Sequence, residues 1–147
     1  VALSNAYTSA RIIIDTTPPY FPMGPWVVNN RTARYTRFWP HALFVRGVWE
    51  ARDRHTGISE LWVHVSPAGT GFKKSEAAHW LLSANPSGHR WELPSPLNHG
   101  LAYDLLLCAY DGVLPIPNTA CSDPYEFIVD LTPPECSPPT AHLRRCI

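Results

Sequence analysis

Residues 43–66 read LFVRGVWEARDRHTGISELWVHVS, and their apolar positions recur at every second residue. Leu43, Val45, Gly47 and Trp49 fall on one side, with Arg46 and Glu50 opposite. After the polar turn Asp53-Arg54-His55-Thr56-Gly57 the alternation resumes, with Leu61, Val63 and Val65 on one side and Trp62 and His64 on the other. A period of two is the pattern of a strand that buries one face. The stretch therefore predicts two half-buried strands joined by a tight turn.

The same pattern extends in both directions. LAYDLLLCAYDG (101–112) is the strongest strand, with Leu101, Tyr103, Leu105, Leu107 and Ala109 on one face and Cys108 on the other. In YEFIVD (125–130), Tyr125, Phe127 and Val129 share a face. PWVVNN (25–30) reads as a first strand and RTARYTRFWPH (31–41) as a loop. RWELPSPL (90–97) is a short strand whose prolines place it at a sheet edge. SEAAHWLL (75–82) is the one helical turn expected, with Ser75 as its cap.

Composition agrees with an all-β chain. There are 16 prolines in 147 residues, about twice the usual ~5%, and proline breaks helix interiors. Short strands at this spacing, without long helices between them, predict an antiparallel β-sandwich of about seven strands. Twelve basic residues balance twelve acidic ones, which argues against nucleic acid as a partner. No apolar run reaches the roughly 18 residues of a membrane span.

Two phrases punctuate the chain. IIIDTTPP ends at Pro19 and FIVDLTPP ends at Pro134, so Asp-x-Thr-Pro-Pro occurs at Asp15 and again at Asp130. Consecutive prolines make a short, stiff, extended connector. The expected organisation is the end of a preceding repeat with its linker (1–17), one β-sandwich repeat (18–132), and a linker with the start of a following repeat or an end cap (133–147).

The four cysteines are Cys108, Cys121, Cys136 and Cys146. No CxxC pair is present, so a zinc ribbon fits poorly. An even count in a proline-rich β chain points to disulfides and an oxidising compartment. Of the three possible pairings, Cys108–Cys121 and Cys136–Cys146 each join neighbours within one segment.

Three pieces in order resemble fibronectin type III-like or immunoglobulin-like extracellular repeats. VRGVWEARDRHTGISELWVHV resembles their B–C hairpin. LNHGLAYDLLLCAYDG resembles their E–F corner and F strand, through Leu97, Gly100 and Tyr103. FIVDLTPP resembles their last strand and linker. The likeness covers roughly residues 18–134. Leu61, where an aromatic is common, the long 29–42 segment and the cysteines depart from it. The resemblance implies tandem occurrence, with Trp49 filling the space between two sheets and the Tyr103 hydroxyl bonded to nearby backbone. The expected structural core is Trp49, Leu61, Val63, Tyr103, Leu105, Leu107 and Phe127.

The search for chemistry returns little. Seven histidines at 41, 55, 64, 79, 89, 99 and 142 form no HxH or HxxxH pair and read as surface residues. Asp111, Asp123 and Asp130 could gather at one end of a sandwich around calcium, but no DxDxDG loop supports that. No GxSxG elbow and no phosphate loop occurs. The expectation is a chain without catalytic residues, metal or cofactor.

Two surface features remain. Asn30-Arg31-Thr32 is an N-glycosylation sequon. Around it Arg31, Arg34 and Arg37 interleave with Tyr35, Phe38 and Trp39, residue types favoured at interfaces; the same aromatics would otherwise pack on their own sandwich. The functional expectation is a structural or adhesive module of a long extracellular or cell-surface protein, such as a stalk, surface filament or adhesion protein. Its partners would be neighbouring repeats, copies of itself, other extracellular proteins or glycans. The alternatives are a glycan- or protein-binding receptor domain using residues 31–39, and an accessory domain of a secreted enzyme.

Overall fold

The computed structural model describes residues 14–28, 36–80 and 89–135. All its regular structure is strand. In chain order the elements are β1 (Tyr20–Val27), β2 (Phe38–Trp39), β3 (Phe44–Arg52), β4 (Ile58–Pro67), β5 (Ala78–Trp80), β6 (His89–Glu92), β7 (Ala102–Asp111), β8 (Thr119–Cys121) and β9 (Tyr125–Val129).

They form two sheets. The smaller runs β1-β3-β6 and the larger β2-β9-β7-β4-β5, with β8 also paired to β7. All pairs are antiparallel except β2 with β9. One side of β7 is occupied along its length by β4. Its other side is shared: β9 lies opposite Ala102–Leu105 and β8 opposite Cys108–Tyr110. The β3–β4 stretch is thus not a hairpin. Its two strands lie in different sheets, and the Asp53–Gly57 turn carries the chain from one to the other. Local alternation could not tell these apart, because both arrangements need the same half-buried strands.

The core lies between the sheets. Val27, Val45 and Trp49 from the smaller sheet meet Leu61, Val63, Tyr103, Leu105, Leu107, Ala109, Phe127 and Val129 from the larger. Every residue of the expected core is buried. The Tyr103 hydroxyl accepts a hydrogen bond from the Asn98 amide at 3.0 Å, while Leu97 beside it is buried. Leu43 and Leu101 sit one residue outside their strands and are exposed.

Several expectations change. The first strand starts at Tyr20, not Pro25, and shifts register twice along β3. It is an edge strand, where proline is tolerated. At Gly24 φ is +74°, and an added Cβ would sit 2.4 Å from the Val48 carbonyl oxygen, so this irregularity requires glycine. Within the predicted loop, Phe38 and Trp39 form β2 on β9. The helical turn at 75–82 does not form where it is described: Ala78, His79 and Trp80 pair with Val63, Trp62 and Leu61. A stretch this short gains little as a helix, whereas a sheet edge offers it ladder bonds at once.

The outward face of the larger sheet is also covered in part. Gly69 donates its amide to Asp104 Oδ2 at 2.8 Å, and Phe72 meets the His64 ring edge-on at 5.7 Å. Leu106, Cys108 and His64 are buried there. Trp62 stays on the outer surface, with the Lys74 ammonium 4.7 Å above its ring.

Candidate functional site

The two Asp-x-Thr-Pro-Pro phrases close on the same pair of hydrogen bonds. Asp15 Oδ1 accepts hydrogen bonds from the Thr17 amide at 2.9 Å and the Thr17 hydroxyl at 2.6 Å. Asp130 Oδ1 accepts the same pair from Thr132, at 3.0 and 2.5 Å. An aspartate side chain that closes on the backbone two residues ahead makes a local turn. The proline that follows each threonine keeps that threonine extended. These bonds favour ionised carboxylates: the Thr17 hydroxyl and amide hold the Asp15 pKa below its usual value, and those of Thr132 do so for Asp130.

Asp15 does more than close a turn. It is buried, and its second oxygen accepts the Thr56 hydroxyl at 2.9 Å. Its carbonyl accepts the Asn118 side-chain amide at 3.1 Å. Thr56 belongs to the β3–β4 turn, which Asp53 organises. Asp53 Oδ1 accepts the amides of His55, Thr56 and Gly57 at 2.8–2.9 Å. Gly57 has φ +75°, a conformation natural to glycine. Asn118 is held from the other side by Asp111, whose Oδ1 accepts the Asn118 amide at 2.8 Å and whose Oδ2 accepts its side-chain amide at 2.7 Å. The Gly112 amide donates to the Gly57 carbonyl at 3.1 Å and ties the two loops together.

The segment before β1, the β3–β4 turn and the β7–β8 loop thus converge at one end of the two sheets. Asp15, Asp53 and Asp111 each bring a carboxylate oxygen within 4.8 Å of the others. Burial pushes the Asp53 pKa up, but its three backbone donors outweigh that and leave it lowered. Its Oδ2 is buried with no hydrogen-bond partner among the described residues. An all-oxygen set of this kind could hold a hard cation such as calcium or magnesium, and is a poor match for zinc. Asp111 therefore joins Asp15 and Asp53, and neither Asp123 nor Asp130 belongs to the group.

Cys108 and Cys121 lie opposite each other on β7 and β8 and are joined by a disulfide. Cys136, Cys146, Asn30, Arg31, Arg34 and Tyr35 lie outside the described residues. Of the expected interface, Arg37 and Phe38 are exposed, Phe38 by 61%. Trp39 leaves it: the residue is 2% exposed, its Nε1 donates to the Phe44 carbonyl at 2.6 Å, and it packs within the core. Alternation along β2 turns one aromatic out and the next in.

His64 corrects the reading of the histidines as surface groups, being 1% exposed. Burial lowers its pKa, opposed by Glu76, whose Oε2 lies 3.7 Å from Nε2. Ser66 and Asp104 are cross-strand neighbours near it, but Ser66 Oγ has no hydrogen-bond partner among the described residues.

These groups predict a two-stage loss of stability in acid. His64 has its folded pKa below the 6.5 of the free side chain. The unfolded chain then binds the extra proton, so stability falls as pH drops below about 6.5. Asp15, Asp53 and Asp130 have folded pKa values below 3.8. Their contribution is complete above that value and is lost as pH falls through the lower folded values. Thermal midpoints measured from pH 8 to pH 2 should show both stages, and His64→Gln should reduce the first, leaving the share of His41, whose pKa burial and Arg90 also lower. A midpoint unchanged between pH 7 and 5 in the parent chain would contradict the burial of His64.

Compared with protein-family models, curated proteins and solved structures, the chain matches none of them. What the geometry defines is a class: an all-β, disulfide-bearing domain of two sheets, with an aspartate-organised junction where the segment before β1 meets the β3–β4 turn and the β7–β8 loop.

Proposed function

We propose that this chain is a non-catalytic structural or adhesive module of a long extracellular tandem-repeat protein. The observation that carries the reading is the repeated clasp, in which Asp15 with Thr17 and Asp130 with Thr132 make the same two hydrogen bonds. One clasp precedes the first strand of the sandwich and the other follows its last. A domain with the same stiff connector before and after it is suited to a series.

Other features support the same reading. The strand order β1-β3-β6 against β2-β9-β7-β4-β5 fits an immunoglobulin-like or fibronectin type III-like sandwich. The bond between Tyr103 and Asn98 fits the tyrosine corner of such domains. The Cys108–Cys121 bridge suits an oxidising, extracellular setting. The mechanism is geometric: a rigid sandwich sets the spacing, and the linkers limit bending. A second reading, recognition of an extracellular protein or glycan, draws on exposed Phe38 beside Arg37.

Intact mass of the natively purified protein, before and after reduction and glycan removal, tests the proposal. The expected result is a mass far above 16.5 kDa, with the Cys108–Cys121 bridge intact until reduction. A native mass near 16.5 kDa with free thiols would overturn it.

A further inference from the structure

The two copies of the clasp differ in what their remaining groups do. Asp15 uses Oδ1 within its own linker and presents Oδ2 and its carbonyl to the sandwich, where Thr56 and Asn118 bind them. Asp130 uses Oδ1 in the same way. Its backbone is fixed to the module it ends, since its amide donates to the Trp39 carbonyl at 3.0 Å and the Leu131 amide donates to His99 Nδ1 at 3.0 Å. Yet Asp130 makes no bond through Oδ2 among the described residues, and its side chain is 46% exposed.

We infer that Asp130 is the docking residue for a following module on the same chain. Its free Oδ2 and carbonyl enter a cradle like the one that receives Asp15. That cradle is a threonine hydroxyl from an Asp-x-x-Thr-Gly turn between the third and fourth strands, with an asparagine side-chain amide from the loop after the seventh. One aspartate then belongs to two modules, with its backbone amide anchored in the first and its carboxylate and carbonyl in the second. With two prolines behind it, the joint has few free torsions and holds neighbours at a set angle. The inference rests on the tandem reading and extends it by naming the partner's donor groups.

A head-to-tail fusion tests it. Residues 1–134 of one copy run directly into residues 20–147 of a second, so that Asp130–Pro134 replaces Asp15–Pro19 of the second copy. Asp130→Ala in the first copy and Thr56→Val in the second are then measured singly and together. The two substitutions are expected to be non-additive, with a coupling of about tenfold in the unfolding equilibrium. Thr56→Val in the first copy should be additive with Asp130→Ala, because that threonine serves Asp15. Additive behaviour of the cross-module pair, with Asp15→Ala and Thr56→Val coupled in the single chain, would overturn the inference and leave the tandem reading intact. The tandem reading falls separately, on a native mass of single-module size.

Should the fusion fail to fold, the single chain carries the test through Thr16→Leu, which places Asp-Leu-Thr-Pro-Pro in the existing cradle. Thr16 is exposed, so the thermal midpoint and the coupling of Asp15 with Thr56 should both persist. Loss of that coupling would show that the second phrase does not fit the cradle, and the inference would be overturned.

Discussion

Replacing Trp49 with alanine is expected to destabilise the protein by about 3–5 kcal/mol, the usual cost of emptying a large buried aromatic site. Trp49 is 3% exposed and belongs to the core between the sheets. Its environment is fitted to it. An added Cβ at Gly47 would lie 2.4 Å from Trp49 Cζ3 and 3.3 Å from Leu105 Cδ2, so the ring occupies the space a side chain at 47 would need. The other sheet thus contacts the same spot, and alanine at 49 would leave a void that neither sheet can close without moving its backbone. Urea denaturation followed by far-ultraviolet circular dichroism measures the loss. A variant with an unchanged midpoint would show that the ring does not lie between the sheets.

Removing the disulfide is the second large effect. Cys108 and Cys121 are 13 residues apart in the chain, and freeing a loop of that size costs about 3 kcal/mol through the entropy regained by the unfolded state. Cys108→Ala with Cys121→Ala should show this loss, and reduction of the parent chain should lower its midpoint by a similar amount. The consequence is also local. β8 has three residues, and the loop before it carries Asn118, which holds both Asp15 and Asp111. Hydrogen exchange at the Asn118 amide should therefore accelerate more in the double variant than exchange at Val63, at the centre of β4. Equal acceleration at both sites would mean that the bridge stabilises only the whole domain and does not brace the junction.

The positions read correctly from sequence are those whose environment is decided by near neighbours. Alternation assigned Val45, Trp49, Leu61, Val63, Leu105, Leu107 and Phe127 to the core because successive side chains of a strand point to opposite faces. The positions misread are those whose environment comes from elsewhere. SEAAHW has the residues of a helical turn, yet its Ala78–Trp80 segment lies along the free edge of β4. His64 alternates outward, as its spacing requires, and is buried because Phe72 and Glu76 come to lie over it.

The aspartate junction divides the same way. The chain by itself determined the Asp-x-Thr-Pro-Pro clasps, since each is closed by groups two residues apart. It equally determined the Asp53 turn, whose amide donors lie within four residues. Only the tertiary structure decided that Asp15, Asp53 and Asp111 meet. Asp15 lies in the segment before β1, Asp53 in the β3–β4 loop and Asp111 at the end of β7 where the β7–β8 loop begins, and no local pattern relates their positions. The folding of both sheets onto one core brings those loops to a single end, where buried carboxylates must find donors or a counter-charge.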